Sequence, residues 1–336
     1  MRPFWILALS TIVAATGACA DRSKSSSSDS AAQDAPASTT TPTDATLPSG
    51  ESRLAVDGGR IWYKVSGTGA ATPVILLHGG PGFSSFYMKS LEALGDERPV
   101  VRYDQLGGGK SDGLTDTTKI TIAHFVKELD SLRAHLGYDR VHLVGHSWGT
   151  ILGLEYYRVH PEHVASLTFA SAAFDIPEWE RNAKRLVTTL SDSAQRAIRT
   201  REAQKQYDAP DYQAALEEFY GKYVWRHPVA ADLDSLLKTV NQTIYNYMQG
   251  PSEFTIVGTL KTYDGRKYLK DVKVPTLFTV GEFDEANPAT IRHHAAMTPG
   301  AKVVVIPGAA HVTTWDNPEA TVKAVRAHLK AADSGH

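Results

Sequence analysis

The 336-residue sequence contains a single cysteine, Cys19. No intramolecular disulfide can form, and no C-x-x-C pair exists for zinc or thiol chemistry. H-E-x-x-H is also absent. No zinc site, no other metal site and no cofactor is therefore predicted. Runs of lysine and arginine are missing, as are basic stretches interleaved with aromatics, and the formal net charge is −2. That excludes the electrostatic footprint of a nucleic-acid partner. Long apolar runs are missing too. The one N-terminal run, Phe4 to Ala15, is too short to span a bilayer comfortably. What remains, 42% hydrophobic and 21% charged residues, suits one sizeable domain with an insertion, or two small domains.

The N-terminus reads as a targeting segment, residues 1–18. Met1-Arg2-Pro3 is a short positive start to the apolar run, which ends in Thr16-Gly17-Ala18-Cys19. Small residues directly before a cysteine resemble a bacterial lipoprotein signal, with Cys19 lipidated as the new N-terminus, although leucine is usual where Thr16 lies. Ala18-Cys19-Ala20 also satisfies the A-x-A rule for ordinary signal cleavage. The composition of the adjoining segment favours the lipoprotein reading. Residues 19–50 are rich in Ser, Thr, Ala, Asp and Pro, and cannot bury enough surface to offset their ordering entropy. Such a tether lets a membrane-anchored domain clear the lipid. The expectation is an exported bacterial protein, touching membrane only through its N-terminal lipid, or else a soluble exported form.

Val141 to Val144 reads as a buried strand and runs into Gly145-His146-Ser147-Trp148-Gly149. A helical pattern comes next. Strand, sharp turn and helix are the context a nucleophile elbow requires. The glycines two residues either side of Ser147 remove side chains that would collide in the turn. The hydroxyl is thereby raised at a helix N-terminus, which favours a developing anion.

Other strands are predicted at Arg60–Val65 (an early edge), Val74–Leu77, Val100–Gln105, Val164–Phe169, Pro275–Val280 and Lys302–Ile306, with helices between. This predicts an α/β-hydrolase-like architecture: a mostly parallel, doubly wound sheet with its site at the carboxyl ends of the strands. His78, Gln105 and Ser147 lie at those ends. From 173 to 252 strand runs vanish. Three amphipathic stretches appear near Trp179–Thr200, Tyr212–Trp225 and Leu233–Met248, and a helical cap is predicted there. Residues 51–172 and 253–336 then form the core. The cap aromatics read mostly as packing between cap and sheet.

A serine hydroxyl needs a base, and the base needs a carboxylate that fixes its tautomer. Ser147, Asp284 and His311 each follow a predicted strand, in the chain order of α/β-hydrolases. Glu282 and Glu285 compete with Asp284, which leads the Asp-x-x-x-Pro turn ending at Pro288. Of 13 histidines, only His311 follows a terminal strand and a small-residue loop. His293 and His294 are expected at the surface, and His146 is not expected to fold back onto its own turn. An oxyanion hole needs two backbone donors. Trp148 N–H should supply one. Gly80, with Gly79 second, should supply the other from His78-Gly79-Gly80-Pro81-Gly82.

The chain resembles the proline iminopeptidase family of serine peptidases, in particular tricorn-interacting aminopeptidase and L-amino-acid amidases. The resemblance is carried by His78-Gly79-Gly80-Pro81-Gly82, Tyr103-Asp104-Gln105-Leu106-Gly107, Gly145-His146-Ser147-Trp148-Gly149, Gly250-Pro251-Ser252-Glu253-Phe254-Thr255, Gly281-Glu282-Phe283-Asp284 and His311. It implies a cap-bearing hydrolase that releases N-terminal residues, often proline, from peptides, amides and arylamides. It also implies cap-side acids that bind the substrate α-amine, with Glu253 in the matching place. A second such acid is expected near Arg226-His227-Pro228, where no carboxylate occurs. A small peptide or amino-acid amide is thus the expected substrate, and oligomeric state is left open. Competing readings are an esterase or lactonase on the same triad and a non-catalytic binding lipoprotein. Epoxide and haloalkane hydrolases would need aspartate at 147.

Overall fold

A computed structural model describes residues 49–335. The predicted signal segment, Cys19 and all but the last two residues of the tether lie outside the described residues. Among the described residues no helix is long and apolar enough to cross a membrane.

Eight strands form one sheet: β1 (Gly50–Val56), β2 (Gly59–Ser66), β3 (Val74–Leu77), β4 (Val100–Asp104), β5 (Val141–His146), β6 (Val164–Ala170), β7 (Thr276–Gly281) and β8 (Lys302–Ile306). Their order is β1-β2-β4-β3-β5-β6-β7-β8. β1 and β2 pair antiparallel, as do β2 and β4, and every other pair is parallel. β3, β5 and β6 are buried at every position. That is the signature of parallel strands covered on both faces, and it explains the unbroken apolar run of β3.

The edge differs from expectation. Arg60–Val65 belongs to the second strand, and β1 is the edge. β1 is mostly exposed, so its residues carry little apolar signal. Besides its ladder to β2 and the half-buried Leu54 and Val56, polar contacts hold it: Arg53 reaches the Asp112 carboxylate at 3.0 Å and the Lys110 carbonyl at 2.6 Å.

Two core helices follow in order, α1 (Ile122–His135) and α2 (Trp148–Val159). Thr121 caps α1 through its side chain, and Gly137, at φ 68°, follows its end. The insertion then carries five helices rather than three stretches: α3 (Ile176–Val187), α4 (Asp192–Ala203), α5 (Pro210–Tyr223), α6 (Ala230–Thr239) and α7 (Gln242–Met248). Two of the predicted stretches are broken by N-caps. Ser191 accepts from Ala194 N–H, and Asn241 accepts from Thr243 and Ile244 N–H. Each starts a new helix inside what reads as one amphipathic run.

The insertion closes on itself beyond the predicted limit of 252. Asp175 and Asp264 form an isolated bridge. Ile176 N–H donates to Tyr263 O and Gly265 N–H to Phe174 O. The Arg266 guanidinium clamps both sides, 2.9 Å from Asp175 and 2.8 Å from Asp264. The short α8 (Arg266–Leu269), then α9 (Pro288–Ala296), α10 (Thr313–Asp316) and α11 (Pro318–Ser334) complete the core. His294 is buried on α9 rather than at the surface. Its ring packs 5.9 Å from Phe174 and 3.7 Å from Glu178. Helical spacing gives no warning of this, because α9 covers the sheet edge with that face.

Candidate active site

Ser147 sits between the last residue of β5 and the first of α2, at φ 53° and ψ −121°. Such a conformation costs a non-glycine residue about 1–3 kcal/mol and persists only when its surroundings enforce it. They do so here. A Cβ at Gly145 would meet Gly149 O at 2.3 Å, and one at Gly149 would meet Leu77 O at 2.1 Å. Ser147 N–H donates to Ala170 O, and the Thr150 hydroxyl donates to Ser147 O at 2.6 Å. The Ser147 hydroxyl caps nothing, so the helix does not consume it.

His311 lies in the loop after β8, and Asp284 in the turn after β7. His311 Nδ1 is 2.9 Å from Asp284 Oδ1. The carboxylate also accepts from Ala286 N–H, the Ser171 hydroxyl and Gly281 N–H. Burial opposes its charge, but His311 and these donors outweigh burial and hold its pKa below the usual range. The neighbouring acids do not compete. Glu282 is exposed and accepts from Gly308 N–H, while Glu285 is fully buried elsewhere. Trp179, from the cap, packs edge-on to His311 at 5.3 Å between centroids.

The glycine loop after β3 turns tightly. Phe83 N–H closes on Gly80 O at 2.7 Å, with Pro81 next and Gly82 at φ 87°. This is the proline–glycine order of a type II turn. Gly79 packs directly on the elbow, where an added Cβ would lie 2.8 Å from Ser147 Cβ. Its N–H is already donated to the Tyr87 hydroxyl. Trp148 N–H, the first of α2, has no carbonyl behind it in its helix. Beneath the elbow, the Trp148 indole donates to Gln105 Oε1, and Gln105 Nε2 donates to His78 O. Glu128 accepts from Leu106 N–H at 3.0 Å and holds the next loop. Burial pushes its carboxyl up to about 8.

Two adjoining cavities open at Ser147, and both are also lined by Gly80 and Glu253. Ile151, Ile176, Trp179 and Leu260 line one; Phe83, Tyr220, Trp225 and His311 line the other. Several cap aromatics thus face empty space as well as packing. Glu253 keeps part of its surface open to the cavities although protein surrounds it. It accepts from the Tyr245 hydroxyl at 2.6 Å and from Gln249 at 3.2 Å. Burial lifts its pKa, against the pull of Tyr245 and His311.

A second carboxyl lies close enough to feel the charge of Glu253, although it does not line the cavities and is not where a second acid was expected. Around Arg226 and His227 the nearby acid is Asp316, which accepts both backbone N–H groups at 2.8 and 2.7 Å. Glu285 is the residue that sequence reasoning misses. Neither of its oxygens has a hydrogen-bond partner among the described residues. Burial, then the charge of Glu253, then that of Asp284, drives its pKa well above the usual range. The available signal is its place directly after Asp284, which in sequence marks it only as a rival for the triad.

Among the described residues, Asp130, His160 and His163 bring possible metal-ligand atoms within 4.8 Å of one another. Asp130 is already paired with Arg133 and the Tyr156 hydroxyl, each at 2.9 Å.

Residues 72–318 match the α/β hydrolase fold family. With an eight-stranded sheet and a serine raised on a strand–helix elbow, the fold and site define a hydrolase of that class. Within it, the chain belongs to the proline iminopeptidase family. It is 40% identical over 272 residues to a proline iminopeptidase of Heyndrickxia coagulans, covering 80% of this chain and 94% of the relative. It is 32% identical over 279 residues to one from Saccharolobus solfataricus, covering 80% and 88%. A crystal structure of proline iminopeptidase from Mycobacterium smegmatis superposes with a TM-score of 0.78 at 32% identity, covering 85% of this chain and 99% of that one.

Proposed function

We propose that this protein is a serine aminopeptidase that releases N-terminal residues, proline among them, from peptides, amides or arylamides through an acyl-enzyme. Ser147 Oγ attacks the scissile carbonyl, and His311 takes its proton. Asp284 holds the Nδ1–H tautomer of His311 and stabilises the imidazolium. The developing oxyanion accepts from Trp148 N–H and Gly80 N–H. His311 then protonates the leaving amine. Water, activated by the same base, hydrolyses the ester on Ser147 and frees the amino acid.

The observation that carries the aminopeptidase reading is the placement of Glu253 on both cavities that meet at Ser147, with Glu285 buried and unpartnered nearby. An α-ammonium entering a covered cleft loses hydration, and a facing carboxylate offsets that loss. The charge of Glu253 is one of the causes that keep the proton on Glu285, because two adjacent carboxylates would repel. A substrate cation relieves that repulsion, and an acetylated N-terminus does not.

The N-terminus supports export, with Cys19 as the lipidated residue of a tethered enzyme. A panel of aminoacyl arylamides, their N-acetylated counterparts and p-nitrophenyl acetate tests the functional reading. Free-amine arylamides should be turned over, with N-acetylated ones poor. Equal rates on both classes, or activity confined to the ester, would sink it.

A further inference from the structure

Tyr87 lies on a 3-10 stretch, Ser85–Asp96, far from the triad in sequence. Its hydroxyl is buried between the glycine loop and the elbow. It accepts the Gly79 N–H and lies 2.8 Å from His146 Nδ1. The other ring nitrogen, His146 Nε2, lies 2.9 Å from the carbonyl oxygen of His311. A carbonyl can only accept, so Nε2 carries a proton. Burial, then the neighbouring His311, pushes the His146 pKa down to about 3, which keeps the ring neutral. Nδ1 of that neutral ring is an acceptor, so the Tyr87 O–H must donate to it. The tyrosine oxygen is left to receive Gly79. Every member therefore has one possible direction: Gly79 N–H to Tyr87, Tyr87 O–H to His146, His146 Nε2–H to His311 O.

We propose that Tyr87 and His146 are positioning residues, whose directed hydrogen-bond chain locks the oxyanion loop to the backbone of the general base and leaves Gly80 as that loop's donor to the oxyanion. The proposal rests on the triad reading of Ser147, Asp284 and His311. Three features support it beyond the distances. The chain consumes the Gly79 amide, which would otherwise be the neighbouring rival donor. Gly79 is pressed onto the elbow, where a Cβ would lie 2.9 Å from His146 O and 3.0 Å from His146 Nδ1. Tyr87 is itself fixed, since Thr314 Oγ1 donates to its carbonyl at 2.7 Å and Trp315 packs edge-on to its ring. The glycine loop, the elbow and the base loop belong to three separate strand ends. Their spacing sets the distance between oxyanion donors and base, where a shift of ~1 Å can lower the rate ~100-fold.

The test is steady-state kinetics on a prolyl or alanyl p-nitroanilide, with fluorophosphonate labelling of Ser147 as a direct measure of nucleophile reactivity. Tyr87→Phe deletes one oxygen and both of its links. It should lower kcat about 10- to 100-fold and slow labelling in parallel, with KM within about threefold. His146→Gln keeps a donor near the Nε2 position but loses the acceptor for Tyr87, and should show the same split. The double variant should be no more than about threefold below either single, because one chain is broken once. A folded Tyr87→Phe with wild-type kcat overturns the proposal, as do losses that multiply in the double variant or a loss confined to KM. If Tyr87→Phe does not fold, His146→Gln and His146→Asn each cut one link and carry the same expectations. Ser147→Ala separates the two levels. Activity in that variant removes the triad and the chain's purpose together. An inactive Ser147→Ala beside a fully active Tyr87→Phe removes only the positioning role.

Discussion

The Asp284 carboxylate accepts from His311 at 2.9 Å through the same oxygen that caps Ala286 N–H, while its other oxygen takes Ser171 and Gly281. Three donors besides His311 therefore fix the aspartate before the histidine turns. Ser171, held at φ 52°, supplies a donor from the end of the neighbouring strand β6. The ring orientation of His311 is thus set by backbone geometry at two strand ends.

Asp284→Asn should keep the fold, because the amide can retain Ser171 as a partner. It should also favour the wrong His311 tautomer. The expected loss in kcat is about 10⁴-fold on arylamide substrates, as for triads generally. Stopped-assay rates within tenfold of wild type would remove Asp284 from the mechanism.

Glu253→Gln should cost about 2–5 kcal/mol on free-amine substrates, at least ~30-fold in kcat/KM, and spare p-nitrophenyl acetate. Glu285→Gln should weaken the same substrates while raising the thermal midpoint at neutral pH, since it removes a buried, unpartnered carboxyl that must stay protonated in the folded state and ionises freely once unfolded. Equal losses on amine and ester would make both acids structural. Wild-type kinetics in both variants would move amine recognition elsewhere in the cap.

Glu128 gives a stability signature. Its folded pKa, about 8, lies above the ordinary 4.5. The folded state therefore holds a proton that the unfolded state releases. Its contribution is fully present below about pH 4.5 and is lost as pH rises through about 8. Glu128→Gln should flatten that part of the decline in denaturant midpoint. An unchanged pH slope would show that the carboxyl ionises normally.

Cys19→Ser should shift the protein from a membrane fraction to a soluble one. A wild-type mature N-terminus sequenced at Asp21 would instead establish ordinary signal cleavage.

Much of the scaffold is legible in the sequence because two periods and one motif speak locally. An unbroken apolar run marks β3, and Gly145-His146-Ser147-Trp148-Gly149 marks the end of β5 and the strand–helix elbow. Chain order brings Asp284 and His311 forward, and the structure places them in contact. What escapes is decided by partners distant in sequence. β1 is held by its ladder to β2, by Asp112 and Lys110 and by only two half-buried apolar side chains, Leu54 and Val56. His294 is buried by Phe174, 120 positions earlier in the numbering. Glu285 reads as a rival for one role because nothing local shows that its neighbour already faces His311. His146 does not fold back onto its own turn, yet it is not idle: its ring turns away from Ser147 to Tyr87. The helices α4 and α7 are hidden inside longer amphipathic patterns, although Ser191 and Asn241 are ordinary capping residues.

The bridge between Asp175 and Asp264, clamped by Arg266, has an evolutionary consequence. The insertion leaves and rejoins the core at neighbouring points, so the sheet's connectivity is indifferent to what lies between them. Exchanging that segment can leave β6 and β7 in register, but a replacement must still supply the Tyr223 and Val224 carbonyls that accept the His311 and Val312 N–H groups and the Asn241 N–H that donates to Gly82 O. The cap is then a cassette. Substrate range can drift through it by recombination at the hinge, provided those few backbone contacts to the base loop and the glycine loop are kept.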